Sequence, residues 1–170
     1  GVRHEKPAGA AAQGAGIAAG GAGGGPGGLP ADHRLPGKRA DDSDVVIVAG
    51  CGINNCGNQD SDHDGVHRFF VGKNAHVKYV EKHYGEGEGS GKRILNPQTI
   101  LYLEEGASVT LETSQIRGVD DTKRYTKAEC NGENSEIVIR EKLLTHGEQH
   151  AVSEMDVFLN GKNTKTQVIS

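Results

Sequence analysis

Four stretches decide the fold: Gly72-Lys73-Asn74-Ala75-His76-Val77-Lys78-Tyr79, Glu104-Glu105-Gly106-Ala107-Ser108-Val109-Thr110-Leu111, Gly132-Glu133-Asn134-Ser135-Glu136-Ile137-Val138-Ile139 and Gly161-Lys162-Asn163-Thr164-Lys165-Thr166-Gln167-Val168. They begin 32, 28 and 29 residues apart. Each passes from a short turn into residues that alternate apolar and polar, with a weaker copy one period earlier at Ala40. Alternation of period two is the pattern of a strand with one covered face, and Gly, Asn and small residues mark the turn before it.

Superposing the copies gives columns of similar chemistry. One holds Val45, Val77, Val109, Ile137 and Thr166, and the next holds Ile47, Tyr79, Leu111, Ile139 and Val168. The residues between them, such as Lys78, Thr110, Glu112, Arg140 and Gln167, are polar and are expected to face solvent. Two residues before each turn stand Phe70, Tyr102, Cys130 and Leu159, which the same alignment places in a further inward column. A period near 30 without a helical pattern predicts an all-β solenoid, a parallel β-helix in which each repeat makes one turn and stacks on the next. An antiparallel sandwich also offers short strands and regular turns, but it does not need the same column chemistry in every repeat. The last repeat runs to Ser170 with no polar cap in sight, so that end is expected to be open to a partner or to further chain.

Outward from the repeats, composition divides the chain. Residues 1–40 hold 12 Gly and 10 Ala and no aromatic residue, with five Lys/Arg against two Asp/Glu. Such a stretch has little apolar surface to offset its ordering entropy and reads as a disordered tail or non-native segment, leaving residues 41–170 as the folding unit. That unit carries 14 basic against 21 acidic residues, an electrostatic mismatch with a phosphate backbone that argues against nucleic-acid binding. Three Cys are too few and odd in number for a secreted disulfide framework. No run of 18 apolar residues or signal-peptide core is present. A cytoplasmic protein without a membrane partner is expected.

The segment Gly85-Glu86-Gly87-Glu88-Gly89-Ser90-Gly91-Lys92 invites a phosphate-loop reading. It fails, because Glu86 stands where the loop's first Gly belongs and Arg93 where its Ser or Thr belongs; a flexible loop between turns is expected instead. A denser cluster joins Cys51, Cys56, His63, His67, His76 and His83, with Asp60, Asp62 and Asp64 interleaved. Thiolate and imidazole suit zinc and iron–sulfur centres, so Cys51, Cys56, His63, His67 and His83 are the candidate metal ligands. The plain alternative is a polar loop rich in Asn and Asp. Cys130, in its apolar column, is expected to be packed core. His146, Glu148 and His150 do not form a helical zinc motif, no nucleophile elbow is present, and the pairs Glu104/Glu105 and Asp120/Asp121 read as solvated turn carboxylates.

Several segments in order carry a family resemblance: Gly50-Cys51, His67-Arg68-Phe69-Phe70-Val71-Gly72-Lys73-Asn74-Ala75, Glu81-Lys82-His83, Gly89-Ser90-Gly91-Lys92-Arg93-Ile94-Leu95-Asn96-Pro97, Leu103-Glu104-Glu105-Gly106-Ala107, Gln115-Ile116-Arg117-Gly118-Val119-Asp120, Leu144-Thr145-His146 and Leu159-Asn160-Gly161. From about Asp41 to Ser170 the chain resembles the SufB/SufD core family of iron–sulfur cluster assembly proteins, in particular its short archaeal and anaerobe-type members. The resemblance implies a right-handed parallel β-helix and a non-enzymatic scaffold for a transient iron–sulfur cluster. Cys51 and His67, inside matched segments, become the cluster-binding candidates. It also implies a SufC-like ABC ATPase as partner, although the helical region that docks it in this family has no counterpart before Ser170, and either a SufB/SufD-like partner or a second copy of the chain. Two other classes fit a β-helix: a structural module joined through its open ends, and an enzyme acting on acidic polysaccharide, which would want a secretion signal.

Overall fold

The computed structural model describes residues 45–170; the Gly/Ala-rich segment, and most of the weaker copy at Ala40, lie outside them. The described residues contain nine strands: β1 (Val45–Asn54), β2 (Ser61–Val71), β3 (His76–Glu86), β4 (Arg93–Leu103), β5 (Ser108–Gln115), β6 (Asp121–Cys130), β7 (Glu136–Leu143), β8 (His150–Leu159) and β9 (Lys165–Ile169). Odd strands form one sheet in the order β1-β3-β5-β7-β9 and even strands a second in the order β2-β4-β6-β8. Every pairing is parallel. Successive strands thus alternate between two facing sheets and make a solenoid of about four turns, which excludes the sandwich.

The turns that lead into β3, β5, β7 and β9 show why the repeats share their residues. Asn74, Gly106, Asn134 and Asn163 occupy the same place with φ of 56°, 66°, 59° and 57°. Only Gly and, at small cost, Asn adopt this left-handed conformation readily. The two columns beyond the turn stack as the alternation predicts: Val45, Val77, Val109, Ile137 and Thr166 are in register, as are Ile47, Tyr79, Leu111, Ile139 and Val168. On the outer face Glu112 bridges to Lys78 at 3.0 Å and Arg140 at 3.3 Å, one ionic rung across three strands, whereas Thr110, expected to face solvent, is buried between its neighbouring strands.

The column before the turn is corrected by one residue. Phe70 pairs with Tyr102 and Tyr102 with Glu129, whereas Cys130 pairs with Leu103 and Leu159. Phe70 faces outward at 66% exposure and stacks on Tyr102 with ring centroids 5.0 Å apart. The inward column is Val71, Leu103, Cys130 and Leu159. The slip arises because β4 and β6 are offset by 27 residues while the turns after them are offset by 28, so an alignment anchored on the turn misplaces the strand before it. Cys130 is nonetheless fully buried in the apolar core, as its packing role requires.

The glycine-rich segment is also more ordered in its packing than a flexible loop. Gly87, Gly89 and Gly91 lie so close to the backbone of residues 55–59 that a Cβ on any of them would fall within 2.3 Å of a carbonyl oxygen. Asn55, itself buried, locks this layer: its side-chain amide donates to the carbonyls of Gln59 and Lys92, and its Oδ1 accepts from the Gly57 N–H. Asp120 likewise does more than sit in solvent, accepting from the Arg93 backbone N–H at 2.8 Å and from its guanidinium at 2.9 and 3.2 Å.

Candidate functional site

The solenoid interior is apolar near the Asn/Gly turns and again at its far side, where Ile53, Leu95 and Val119 cluster, and polar between them. Moving along β3 past Tyr79, the inward positions become Glu81 and His83, 1% and 0% exposed. Their columns are Ala49, Glu81, Thr113 and Glu141, then Cys51, His83, Gln115 and Leu143. From the facing sheet come His67, Thr99, Thr126 and Met155, together with Arg124 and Ser153. A polar row therefore runs between two apolar clusters.

Its members are joined in sequence. His67 Nδ1 lies 2.7 Å from the Tyr79 hydroxyl and 3.2 Å from Glu81 Oε1. Glu81 Oε1 is also 3.0 Å from His83 Nε2, close but out of line, so that neither atom completes a well-aligned hydrogen bond. Thr99 donates to Glu81 Oε2 at 3.4 Å. Arg124 Nη2 donates to His83 Nδ1 at 2.6 Å, and its Nη1 donates to Thr113 Oγ1 at 2.7 Å and Glu141 Oε1 at 2.8 Å. Ser153 donates to the same Glu141 oxygen at 2.9 Å. Buried carboxylates, imidazoles and a guanidinium are tolerated where each offsets another's desolvation.

The electrostatics centre on Glu81. Burial pushes its carboxyl upward, yet the facing imidazoles of His67 and His83 outweigh that, and the net shift is well below the usual carboxylate range. In return the interaction with Glu81 raises His67 above the ordinary imidazole value, against the opposing effect of burial. The Cys51 thiol is pushed up to about 11, first by burial and then by the negative charge of Glu81. Tyr79 is raised for the same two leading reasons.

Of the five candidate ligands, Cys51, His67 and His83 lie on the inward face: His67 and His83 face Glu81 Oε1, and Cys51, paired with His83 across β1 and β3, feels the Glu81 charge. Cys51 is half-buried against Ile53, Leu95 and Val119, and the His67 side chain is 40% exposed at the first described coil. Cys56 is apart from them, exposed in the 55–60 loop with its thiol 3.3 Å from Asn54 Oδ1. His63 is exposed on β2; four residues of extended strand separate it from His67 by about 13 Å, too far to share one ion. His83 has both ring nitrogens facing buried groups, so it could ligate a metal only by giving up Glu81 or Arg124. His76 lies at the start of β3, and His150 sits 3.5 Å from Asp121 with no helix around it. Among the described residues no three His, Cys, Asp or Glu side chains form a group that could hold a metal ion. The sequence reading missed Glu81 as a site residue and missed Arg124 and Glu141 entirely. Continuing the period-two alternation from Tyr79 through 81 and 83 would have placed the first of these inside.

The fold and this interior define a parallel β-solenoid whose apolar core is interrupted by a buried ionic row, with a thiol and an imidazole on the inward face of its first described coil. The chain belongs to the family described as SUF system FeS cluster assembly, SufBD core domain, whose model matches residues 38–170, and it is thereby connected to iron–sulfur cluster assembly by the SUF system. No curated protein and no solved structure matches the chain. No helix among the described residues is long and apolar enough to cross a membrane.

Proposed function

We propose that this chain is a cytoplasmic, non-enzymatic scaffold subunit of the SUF machinery, on which a nascent cluster is held transiently by Cys51 and His67. The observation that supports this reading is a thiol and an imidazole of the right ligand chemistry on the inward face of one coil, each influenced by the Glu81 carboxylate, in a chain of the SufBD family. The donor set is partial, so the cluster's own sulfide and ligands outside the described residues would fill its remaining positions. A SufC-like ATPase and a SufB/SufD-like subunit or second copy of this chain are the partners that the family supplies to the reading.

The raised thiol has a direct consequence. Iron binding must expel the Cys51 proton, so retention rises with pH below about 11. Anaerobic reconstitution of the full chain with ferrous iron and sulfide should give visible charge-transfer absorption. Cys51→Ser and His67→Ala should each remove most of it, while Cys130→Ala keeps it. Absence of bound iron at every pH, or retention untouched by both ligand changes, overturns the assignment.

A further inference from the structure

His67 and His83 both turn a ring nitrogen toward Glu81 Oε1, at 3.2 Å from His67 Nδ1 and 3.0 Å from His83 Nε2. They differ at the other nitrogen. In His83 this is Nδ1, which faces Arg124 Nη2 inside the solenoid. A guanidinium only donates, so His83 Nδ1 accepts and the ring proton sits on Nε2, facing the carboxylate. His83 thus has no lone pair left for a ligand. In His67 the engaged nitrogen is Nδ1, between Glu81 and Tyr79, and Nε2 belongs to the remainder of a side chain that is 40% exposed.

Glu81 is short of donors, because its Oε1 has no aligned hydrogen-bond partner. It is 1% exposed, and Arg124 directs its terminal nitrogens to Thr113, Glu141 and His83 and not to Glu81. The His67 Nδ1–Glu81 Oε1 contact of 3.2 Å is out of line for a hydrogen bond, so Glu81 acts on the ring through its charge: an unprotonated Nδ1, accepting from Tyr79, would put lone-pair density beside a desolvated carboxylate. With the proton on Nδ1, Tyr79 accepts from the ring and its own hydroxyl proton is free to turn to Glu81.

We infer that Glu81 is the positioning residue of His67: it holds the ring proton on Nδ1 and leaves Nε2 as the lone-pair nitrogen offered at the first-coil end of the solenoid. The use of that nitrogen rests on the reading of His67 as a cluster ligand; its tautomer is a property of the free chain and stands apart from that reading. Carboxylates that orient a ligating imidazole in this way change metal affinity by about 10–100-fold when lost.

The test is the histidine side-chain ¹H–¹⁵N spectrum of the uniformly ¹⁵N-labelled full chain at about pH 9, where free imidazoles are neutral, with His67→Gln to assign the resonance. The expected result is an Nδ1-protonated His67 in the wild type, a shift toward the Nε2-protonated form in Glu81→Gln, and a loss of about 10–100-fold in Co(II) affinity in that variant. An Nε2-protonated His67 in the wild type overturns the inference whether or not any variant folds, and so does a tautomer unchanged by Glu81→Gln. Tyr79→Phe leaves Glu81 alone beside the ring and should keep the Nδ1 proton; a switch there assigns the positioning to Tyr79 instead. If the tautomers behave as expected but Co(II) leaves the His67 resonances unperturbed, the positioning role stands and the ligand reading falls.

Discussion

Glu81 is an ionised carboxylate where the apolar half of the same strand places Val77 and Tyr79, and its coupling to His67 has a measurable signature in pH. His67 is raised in the folded chain from its free value of 6.5, so the stabilisation it brings is fully present below about pH 6.5 and is lost as pH rises through the higher folded value. Glu81 is shifted the other way. Its contribution is present above the free value of 4.5 and is lost as pH falls through the depressed folded value. The thermal midpoint attributable to this pair should therefore peak between about pH 4.5 and 6.5. Scanning calorimetry of the wild type against His67→Gln should show the difference between them shrink from pH 6 to pH 9; a difference that is constant or grows would disprove the coupling. His67 is too exposed for the shift to be converted into a stability figure, because solvent screens the pair.

Elements were legible in the sequence wherever the repeat was anchored on its turn. The left-handed Asn and Gly positions and the columns from Val45 and Ile47 follow directly from alternation, because one steric rule fixes the turn and the pleat fixes everything after it. Legibility failed on the other side of the turn, where loops of unequal length let Phe70 and Tyr102 pass for partners of Cys130. Two substitutions measure that correction. Leu103→Ala empties an inward site with 1% exposure and should cost about 2–5 kcal/mol, whereas Phe70→Ala removes an outward ring stacked on Tyr102 and should cost about 1 kcal/mol. Comparable losses in urea unfolding would restore the original column. Glycines make an independent contrast: a Cβ on Gly91 would meet the Gln59 carbonyl oxygen at 2.0 Å, while nothing lies within 4 Å of one on Gly72. Gly72→Ala should be neutral or stabilising by up to about 1 kcal/mol and Gly91→Ala destabilising by more than that.

At the scale of the molecule, the ionic row of the interior is what sequence alone conceals, since Glu81, Arg124 and Glu141 come from different coils and meet only after the solenoid closes. A solenoid is otherwise quasi-one-dimensional, each turn depending on its neighbours alone. The Arg124 guanidinium concentrates that neighbour coupling at one point, holding Thr113 of β5, His83 of β3 and Glu141 of β7 from the opposite sheet and so joining three successive turns. Replacing Arg124 by Leu leaves Glu141 buried with only Ser153 to satisfy it, an uncompensated charge that should cost about 3–5 kcal/mol. Replacing both Arg124 and Glu141 by Leu removes the two charges together and should recover most of the loss, because an apolar pair of similar volume is often as stable as the ion pair. The double variant tests one more thing. If Arg124 ties the coils into one cooperative unit, the double variant should retain stability yet show amide exchange in β3 protected unequally from that in β7, where the wild type protects them alike. Equal protection in both proteins would mean that the apolar columns alone make the solenoid cooperative and that the ionic row contributes only locally.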